Sequence, residues 1–214
     1  MKFDIICKSA IIFLITFSSL QIFYPSYANG DNILCVGIKL CNGTEKDDVM
    51  IGDNSSNSVK AIDGTGVLIG MEGADNMSGS NSTDQLMGGS GNDIISGADG
   101  SDEVMGGTGN DNISGGNGAD EIMGGEGNDT IHGNDGPDTI MGGPTDDTIV
   151  GGNGRDIMSG QDGDDKIYQG SINSTAPDGS QDVIICGEGK DEAWINVSVD
   201  KDLESNDCEI VHKD

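Results

Sequence analysis

Aspartate recurs along this chain at a fixed spacing of nine residues. Counting in nines from Gly43, fourteen blocks run without a slip to Tyr168, and from the fourth block onward the sixth residue is always aspartate. These eleven residues are Asp75, Asp84, Asp93, Asp102, Asp111, Asp120, Asp129, Asp138, Asp147, Asp156 and Asp165. Carboxylates can act as acid–base pairs or bind hard cations. The regular spacing favours cation binding, because a catalytic pair needs two different environments.

The rest of the sequence does not suggest catalysis. His132 and His212 are the only histidines, and neither has a nucleophile or a metal-ligand neighbour at a recognisable spacing. The net charge of -28 would repel phosphate, and no block contains a Walker-type phosphate loop. Clustered Lys and Arg residues, which nucleic-acid binding needs, are also missing from the sequence. We expect a protein that is not an enzyme and does not bind nucleic acid.

Glycines and single apolar residues position these aspartates. The first residue of a block is glycine in every block from Gly70 onward, which allows tight turns. The last three residues of each block predict a short strand whose middle side chain, the eighth of the block, points inward. That position is apolar in all fourteen blocks: Met50, Val59, Leu68, Met77, Leu86, Ile95, Val104, Ile113, Ile122, Ile131, Ile140, Ile149, Met158 and Ile167.

Two blocks make one coil of eighteen residues, and coils stacked ~4.8 Å apart bring like positions into columns. One column holds Asp84, Asp102, Asp120, Asp138 and Asp156, and the other holds Asp75, Asp93, Asp111, Asp129, Asp147 and Asp165. Carboxylates at that spacing repel one another unless cations lie between them. Ca²⁺ fits better than Mg²⁺, which resists dehydration. We expect up to nine ions, and weak or no binding near Asn57 and Gly66, which interrupt the columns.

Several blocks carry a resemblance to a known family. GGSGNDIIS, GGTGNDNIS and GGEGNDTIH resemble the RTX, or hemolysin-type, calcium-binding nonapeptide G-G-x-G-x-D-x-U-x, in which U is a large apolar residue. The resemblance implies an all-β fold, a right-handed parallel β-roll with two repeats per coil. It also implies that Ca²⁺ lies between successive turns, bound by aspartate carboxylates and main-chain carbonyls. Toxin members are long chains with a separate active domain, so cytolytic or protease activity is not implied.

The chain divides into six segments. Residues 1–28 predict a secretory signal peptide cleaved after Ala28, with no membrane span left afterwards. We assign 29–42 to an N-terminal cap, 43–168 to the fourteen repeats and 169–176 to an insertion loop. Two further repeats follow at 177–194, with Asp182 and Asp191 at the sixth position. The tail 195–214 loses the period and is predicted to be a C-terminal cap.

Four cysteines remain after signal cleavage: Cys35, Cys41, Cys186 and Cys208. An even number in a secreted chain predicts two disulfides, and three pairings are open. Cys35 with Cys41 and Cys186 with Cys208 would staple the two ends. Zinc binding is the alternative role for four cysteines, but their spacings are not those of zinc sites.

The ninth position alternates with an eighteen-residue period. Met87, Met105, Met123 and Met141 stand on one side of the coil, and Lys60, Ser78, Ser96, Ser114 and His132 stand on the other. The methionines predict an outward apolar strip on one sheet. This strip is either a contact surface for a cell-surface protein or polymer, or a by-product of edge covering or of repeat duplication.

These patterns together predict a secreted β-roll that binds Ca²⁺ and folds only with it. We expect an extracellular or cell-surface module with a structural or binding role. The alternatives are a calcium-dependent adhesion protein and an accessory fragment of a secreted enzyme.

Overall fold

A computed structural model of the chain describes residues 32–37, 39–170, 181–195 and 208–213. Every regular element in this part is a β-strand. The predicted signal peptide, most of the insertion loop and much of the C-terminal cap lie outside the described residues. Within the described ranges no helix is long and apolar enough to cross a membrane.

The strands form two parallel sheets that face each other. The first sheet contains nine strands, in the order β1 (Asn32–Leu34), β3 (Asp48–Ile51), β5 (Gly66–Glu72), β7 (Gln85–Ser90), β9 (Glu103–Thr108), β11 (Glu121–Glu126), β13 (Thr139–Pro144), β15 (Ile157–Asp162) and β17 (Val183–Glu188). The second sheet contains ten, in the order β2 (Leu40–Asn42), β4 (Ser58–Lys60), β6 (Asn76–Ser78), β8 (Ile94–Asp99), β10 (Asn112–Asn117), β12 (Thr130–Asp135), β14 (Thr148–Asn153), β16 (Lys166–Tyr168), β18 (Glu192–Ile195) and β19 (Ile210–Lys213). The chain is therefore a parallel β-solenoid.

The register between neighbouring strands equals one coil. Ile113 lies opposite Ile95 in β8 and opposite Ile131 in β12. Across the insertion, Met158 of β15 lies opposite Ile184 of β17, so the eight extra residues leave the stacking intact. The two blocks at 177–194 thus continue the same solenoid.

The tail keeps the period longer than its sequence indicated. Strand β19 pairs with β18 so that Glu192 lies opposite Ile210 and Trp194 opposite His212, an offset of eighteen residues. Tyr168, Trp194 and His212 stack ring on ring along this outer row, with centroids 4.3 and 4.5 Å apart. The expectation that the period ends at residue 195 was wrong for this last strand.

The core is a narrow double row of apolar side chains, one row from each sheet. The eighth residue of every block is at most 2% exposed, as the inward orientation predicted. The core is narrow because each block contributes only one such side chain. Both disulfides lie at the ends of this row, Cys35–Cys41 at one and Cys186–Cys208 at the other. The predicted stapling of both ends is confirmed, and the structure gives the pairing that the sequence left open.

Most strands are six residues long, twice the predicted length. A typical strand such as β10 runs from the seventh residue of one block through the third residue of the next. The first residue, Gly115, faces the interior without a side chain, and the second, Gly116, has a φ of 123°. Because this geometry lets the extended chain continue, the strand does not end at the ninth residue.

Candidate metal centre

The aspartates of the repeat are buried inside the solenoid. All eleven predicted site residues are at most 3% exposed. The sixth residue lies two places before the inward eighth residue, and side chains two apart in an extended chain share a face. The eleven residues form the two predicted columns, but their carboxylates point into the molecule.

One oxygen of each carboxylate joins neighbouring coils. The main-chain N–H of Asp102 donates to Oδ1 of Asp120 at 2.9 Å, and that of Asp111 donates to Oδ1 of Asp129 at 2.8 Å. The same bond links the aspartates of both columns at 2.7 to 2.9 Å. These bonds offset part of the repulsion between stacked carboxylates.

Two aspartates beyond the predicted set take the same position. The N–H of Asp156 donates to Oδ1 of Asp182, and the N–H of Asp165 donates to Oδ1 of Asp191. Each pair is separated by 26 residues, which is one coil plus the insertion. The sequence carried this signal, since both residues stand at the sixth place of a block, but the interruption after Tyr168 separated them from the columns.

The second carboxylate oxygen is different. In the described part of the chain, nine predicted site residues have an Oδ2 that is buried and has no hydrogen-bond partner. They are Asp75, Asp93, Asp102, Asp111, Asp120, Asp129, Asp138, Asp147 and Asp165. A buried anionic oxygen without a partner is costly, and the cost disappears when the oxygen binds a cation or a proton. The columns therefore present a series of equivalent ligand atoms.

These oxygens face space left open by the first glycine of the block. A β-carbon added at Gly106 would overlap Oδ2 of Asp111 and would lie 2.6 Å from the carbonyl oxygen of Gly124, one coil further on. The arrangement recurs at Gly97, where Oδ2 of Asp102 and the carbonyl of Gly115 converge. A carboxylate oxygen beside a main-chain carbonyl is a donor set suited to a hard cation.

Side chains alone do not complete a metal site. Among the described residues, no three His, Cys, Asp or Glu side chains gather into a cluster that could hold an ion. Main-chain carbonyls such as that of Gly124 are available as further ligands, in keeping with the mixed ligand set implied by the sequence resemblance. The geometry fits Ca²⁺, which accepts many neutral oxygen ligands.

Burial also changes the titration of the columns. Desolvation raises the pKa of Asp102, Asp138 and Asp147 to about 7, and neighbouring carboxylates such as Asp120 add to the rise. The same cause raises the pKa of Asp111 and Asp129 to about 6. Bonds from main-chain N–H groups oppose the shift but are weaker than desolvation. The buried carboxylates are therefore poor places for uncompensated charge.

Comparison with known protein families agrees with this geometry. The model of the RTX calcium-binding nonapeptide repeat matches residues 61–95, 96–131 and 132–167, which together make up half of the chain. The chain belongs to this family. None of the curated proteins with which the chain was compared matches it. As an RTX repeat protein, the chain is a calcium-binding β-roll, and its ladder of buried aspartates is consistent with that binding.

Asp84 differs from the other predicted ligands of this RTX chain. Its Oδ1 accepts the N–H of Gly66 at 2.5 Å, and its Oδ2 accepts the N–H of Ser80 at 2.6 Å. Both oxygens are thus bonded to main chain. Ser80 stands at the second place of the block, where most blocks have a residue with positive φ.

The methionines form the outward row that the ninth position predicted. Met105 lies opposite Met87 in β7 and Met123 in β11, and Met123 lies opposite Met141 in β13. Met87 is 38% exposed and Met123 is 36% exposed. Ile69 pairs with Met87 and extends the row toward the N-terminus. The contact role of this strip stays a prediction.

Proposed function

We propose that the chain is an extracellular module whose β-roll folds when Ca²⁺ binds between its coils. The observation that carries this proposal is the set of nine buried Oδ2 atoms without partners. They recur at each coil beside inward glycines. Without cations, a stack of such carboxylates works against folding, and each block opposes it with only one buried apolar side chain.

The residues that would hold the ions are the column aspartates and the carbonyls of the glycines that begin each block. Bound Ca²⁺ would supply positive charge to the buried carboxylates. Asp111 and Gly124 represent one such pair. Because these atoms come together only in the stacked fold, binding energy becomes folding energy.

An extracellular location would explain why folding is coupled to Ca²⁺ binding. Extracellular calcium modules bind with a Kd of roughly 10⁻⁴ to 10⁻³ M, so the calcium-binding coils would stay unfolded at low calcium and fold after export. The disulfides Cys35–Cys41 and Cys186–Cys208 support an oxidising compartment. We propose a structural or binding role without catalysis, because the carboxylates of a column share one environment and so lack the asymmetry of an acid–base pair.

A calcium titration followed by far-UV circular dichroism tests the coupling. We expect little β-structure in chelator and a cooperative gain in millimolar Ca²⁺, with Mg²⁺ far less effective. Calorimetry on the same sample gives the number of ions. The same β content in chelator and in calcium, over the whole chain, would contradict the proposal.

We further propose the strip Met87, Met105, Met123 and Met141 as the surface that contacts a cell-surface protein or polymer. Its continuous register and partial exposure support this role. The test compares two double variants. One combines Met87→Ser with Met123→Ser, and the control combines Ser78→Ala with Ser96→Ala in the ninth-position row of the other sheet. Calcium-dependent retention on cells should be lost only in the methionine variant. Equal retention of the two variants would assign no contact role to the strip.

A further inference from the structure

The first coils of the solenoid differ in construction from the rest. We propose that residues 32–37 and 39–72, here called the N-terminal section, fold without Ca²⁺ and template the calcium-requiring coils that follow. The inference rests on the proposed function only in that the later coils need the ion. The section contains strands β1 to β5 and the Cys35–Cys41 disulfide.

The sixth-position residues of this section are already satisfied by the protein. Oδ2 of Asp48 accepts the N–H of Thr44 at 2.5 Å, and the Thr44 hydroxyl donates to the same carboxylate at 3.1 Å. Oδ1 of Asn57 accepts the N–H of Asp53 at 2.7 Å. The third such residue is Gly66, which has no side chain to satisfy. The section therefore meets no cost from buried oxygens when Ca²⁺ is absent.

Repulsion between stacked carboxylates is also absent here. In one column Asp48 is followed by Gly66 at the next coil, as the pairing of β3 with β5 shows. In the other column the neutral Asn57 precedes Asp75. Two carboxylates become direct neighbours only from Asp75 to Asp93 and from Asp84 to Asp102 onward. The repulsion between stacked carboxylates, which cations would offset, therefore begins after β5.

The section buries additional apolar surface. Besides the eighth-position row, Val49 and Ala61 are buried at places where the later blocks mostly carry exposed polar residues or glycine, and Ile69 is buried in the row in which Met87 and Met123 are exposed. Cys35 is fully buried, Cys41 is 4% exposed, and their disulfide lies in the same core cluster. More buried apolar surface per coil, together with a covalent link, favours folding without a metal.

Side-chain hydrogen bonds fix its turns. Oδ1 of Asp47 accepts the N–H of Thr65 at 2.9 Å, one coil away, and Oδ2 of Asp53 accepts the N–H of Gly37 at 2.5 Å. A bond of the first kind recurs in the later coils, where the N–H of Asn110 donates to Oδ1 of Asn92 at 3.0 Å, whereas the bond from Gly37 to Asp53 belongs to the N-terminal section. At the sixth position, where the later section would use ions, the N-terminal section uses protein groups, as the bonds to Asp48 and Asn57 show.

A folded N-terminal section would present a ready edge for growth. Strands β4 and β5 offer the main-chain groups that pair with β6 and β7 in parallel register. A new coil then costs less to order than a free one, because nucleation of an isolated coil is avoided. Asp84 lies at the boundary, since it bonds back to Gly66 and Ser80 and leads onward to Asp102.

Amide hydrogen exchange with mass spectrometry tests the proposal on the protein with both disulfides formed. In chelator we expect slow exchange in β3 and β5 and exchange at the rate of an unfolded chain in β8 to β16. In saturating Ca²⁺ both regions should be protected. Unprotected β3 and β5 in chelator would overturn the template but leave calcium-coupled folding standing. Full protection of every strand in chelator would overturn calcium-coupled folding itself.

A matched pair of core truncations distinguishes a local effect on the N-terminal section from a general loss of structure. Leu68 and Ile149 are both buried eighth-position residues, one in each section. In chelator, Leu68→Ala should speed exchange in β3 and β5 at least tenfold, and Ile149→Ala should change it less than twofold. Equal effects of the two variants on β3 and β5 in chelator would overturn the template.

A second pair separates the two kinds of carboxylate. Asp48→Asn keeps an oxygen for the Thr44 N–H, as Asn57 does for Asp53, and should leave the calcium midpoint unchanged. Asp111→Asn should raise the midpoint severalfold and leave β3 and β5 protected in chelator. A similar rise for Asp48→Asn would contradict the assignment of Asp48 to a calcium-independent section.

Discussion

The main-chain N–H of Asp93 donates to Oδ1 of Asp111 at 2.8 Å, one coil further along the solenoid. Oδ2 of the same Asp111 is buried without a hydrogen-bond partner. One carboxylate thus joins two coils through one oxygen and presents the other to a ligand. Stacking and ion binding are therefore properties of the same side chain, and substitutions can separate them.

Asp129→Asn should weaken calcium binding without removing the contact between coils. In the parent protein the N–H of Asp111 donates to Oδ1 of Asp129 at 2.8 Å, and the amide oxygen of the variant can still accept this bond. The amide nitrogen, in contrast, cannot serve as a cation ligand. We expect the calcium midpoint to rise about tenfold, which corresponds to about 1.4 kcal/mol, and calorimetry to count fewer ions.

Glu126→Gln is the matched control for Asp129→Asn. It removes the same charge from an exposed place in the same block. Its calcium midpoint should stay within about twofold of the parent, since exposed charges are screened. Equal shifts for the two variants would mean that net charge, and not ligation, sets the affinity.

Acid should stabilise the calcium-free fold. Burial raises the pKa of Asp102, Asp138 and Asp147 from 3.8 to about 7. The folded chain therefore holds protons that the unfolded chain releases, and the free energy of unfolding falls as the pH rises toward about 7. In chelator we expect more β-structure by circular dichroism at about pH 5 than at about pH 8.

The same protons should compete with the ion. Because Ca²⁺ binds the ionised carboxylate, the calcium midpoint should move to higher concentration as the pH falls from about 8 to about 5.5. A calcium-free fold that is more stable at the higher pH would contradict both pH expectations.

Gly106→Ala tests the open space beside Asp111. The added β-carbon would overlap Oδ2 of Asp111 and crowd the carbonyl of Gly124 and the side chain of Ile113. The φ of Gly106 does not lie in the left-handed region, so the cost comes from lost space for the ion and from overpacking, about 1–3 kcal/mol. Thermal unfolding in saturating Ca²⁺ should show a clear loss, and Gly170→Ala, with nothing within 4 Å of its added carbon, should show none.

The sequence predicted what depends on periodicity and little of what depends on side-chain rotamers. The nine-residue period was sufficient for the buried row that includes Ile113, the column that includes Asp111, and the outward row that includes Met105. It could not show that Asp111 accepts a main-chain N–H from the neighbouring coil, because spacing does not determine a χ angle.

Strand length depends on backbone conformation that residue types only partly reveal. Ala98 and Gln161 occupy the second place of a block with φ of 84° and 78°, although neither is glycine. Each lies opposite a glycine of positive φ on the neighbouring strand, Ala98 opposite Gly116 and Gln161 opposite Gly187, so this conformation follows the place in the stack and not the residue type. The N-terminal section was recognised only as a gap in the aspartate columns, since the bonds that replace the ion there involve the main chain of Thr44 and Asp53.

The C-terminal end provides the last test, because Glu209 stands where the next aspartate of the column would be. Its Oε2 accepts the N–H of Asp191 at 2.7 Å, and the adjacent Cys208 is held to Cys186 by a disulfide. Glu209→Ala would leave that N–H without its acceptor at the end of the ladder, a loss of about 1–2 kcal/mol. Hydrogen exchange in saturating Ca²⁺ should be faster in β18 and unchanged in β10. Glu188→Ala removes an exposed carboxylate from the last strand of the first sheet, and it should leave β18 as protected as in the parent. If both variants loosen β18 equally, local charge and not the bond to Asp191 stabilises this end of the solenoid.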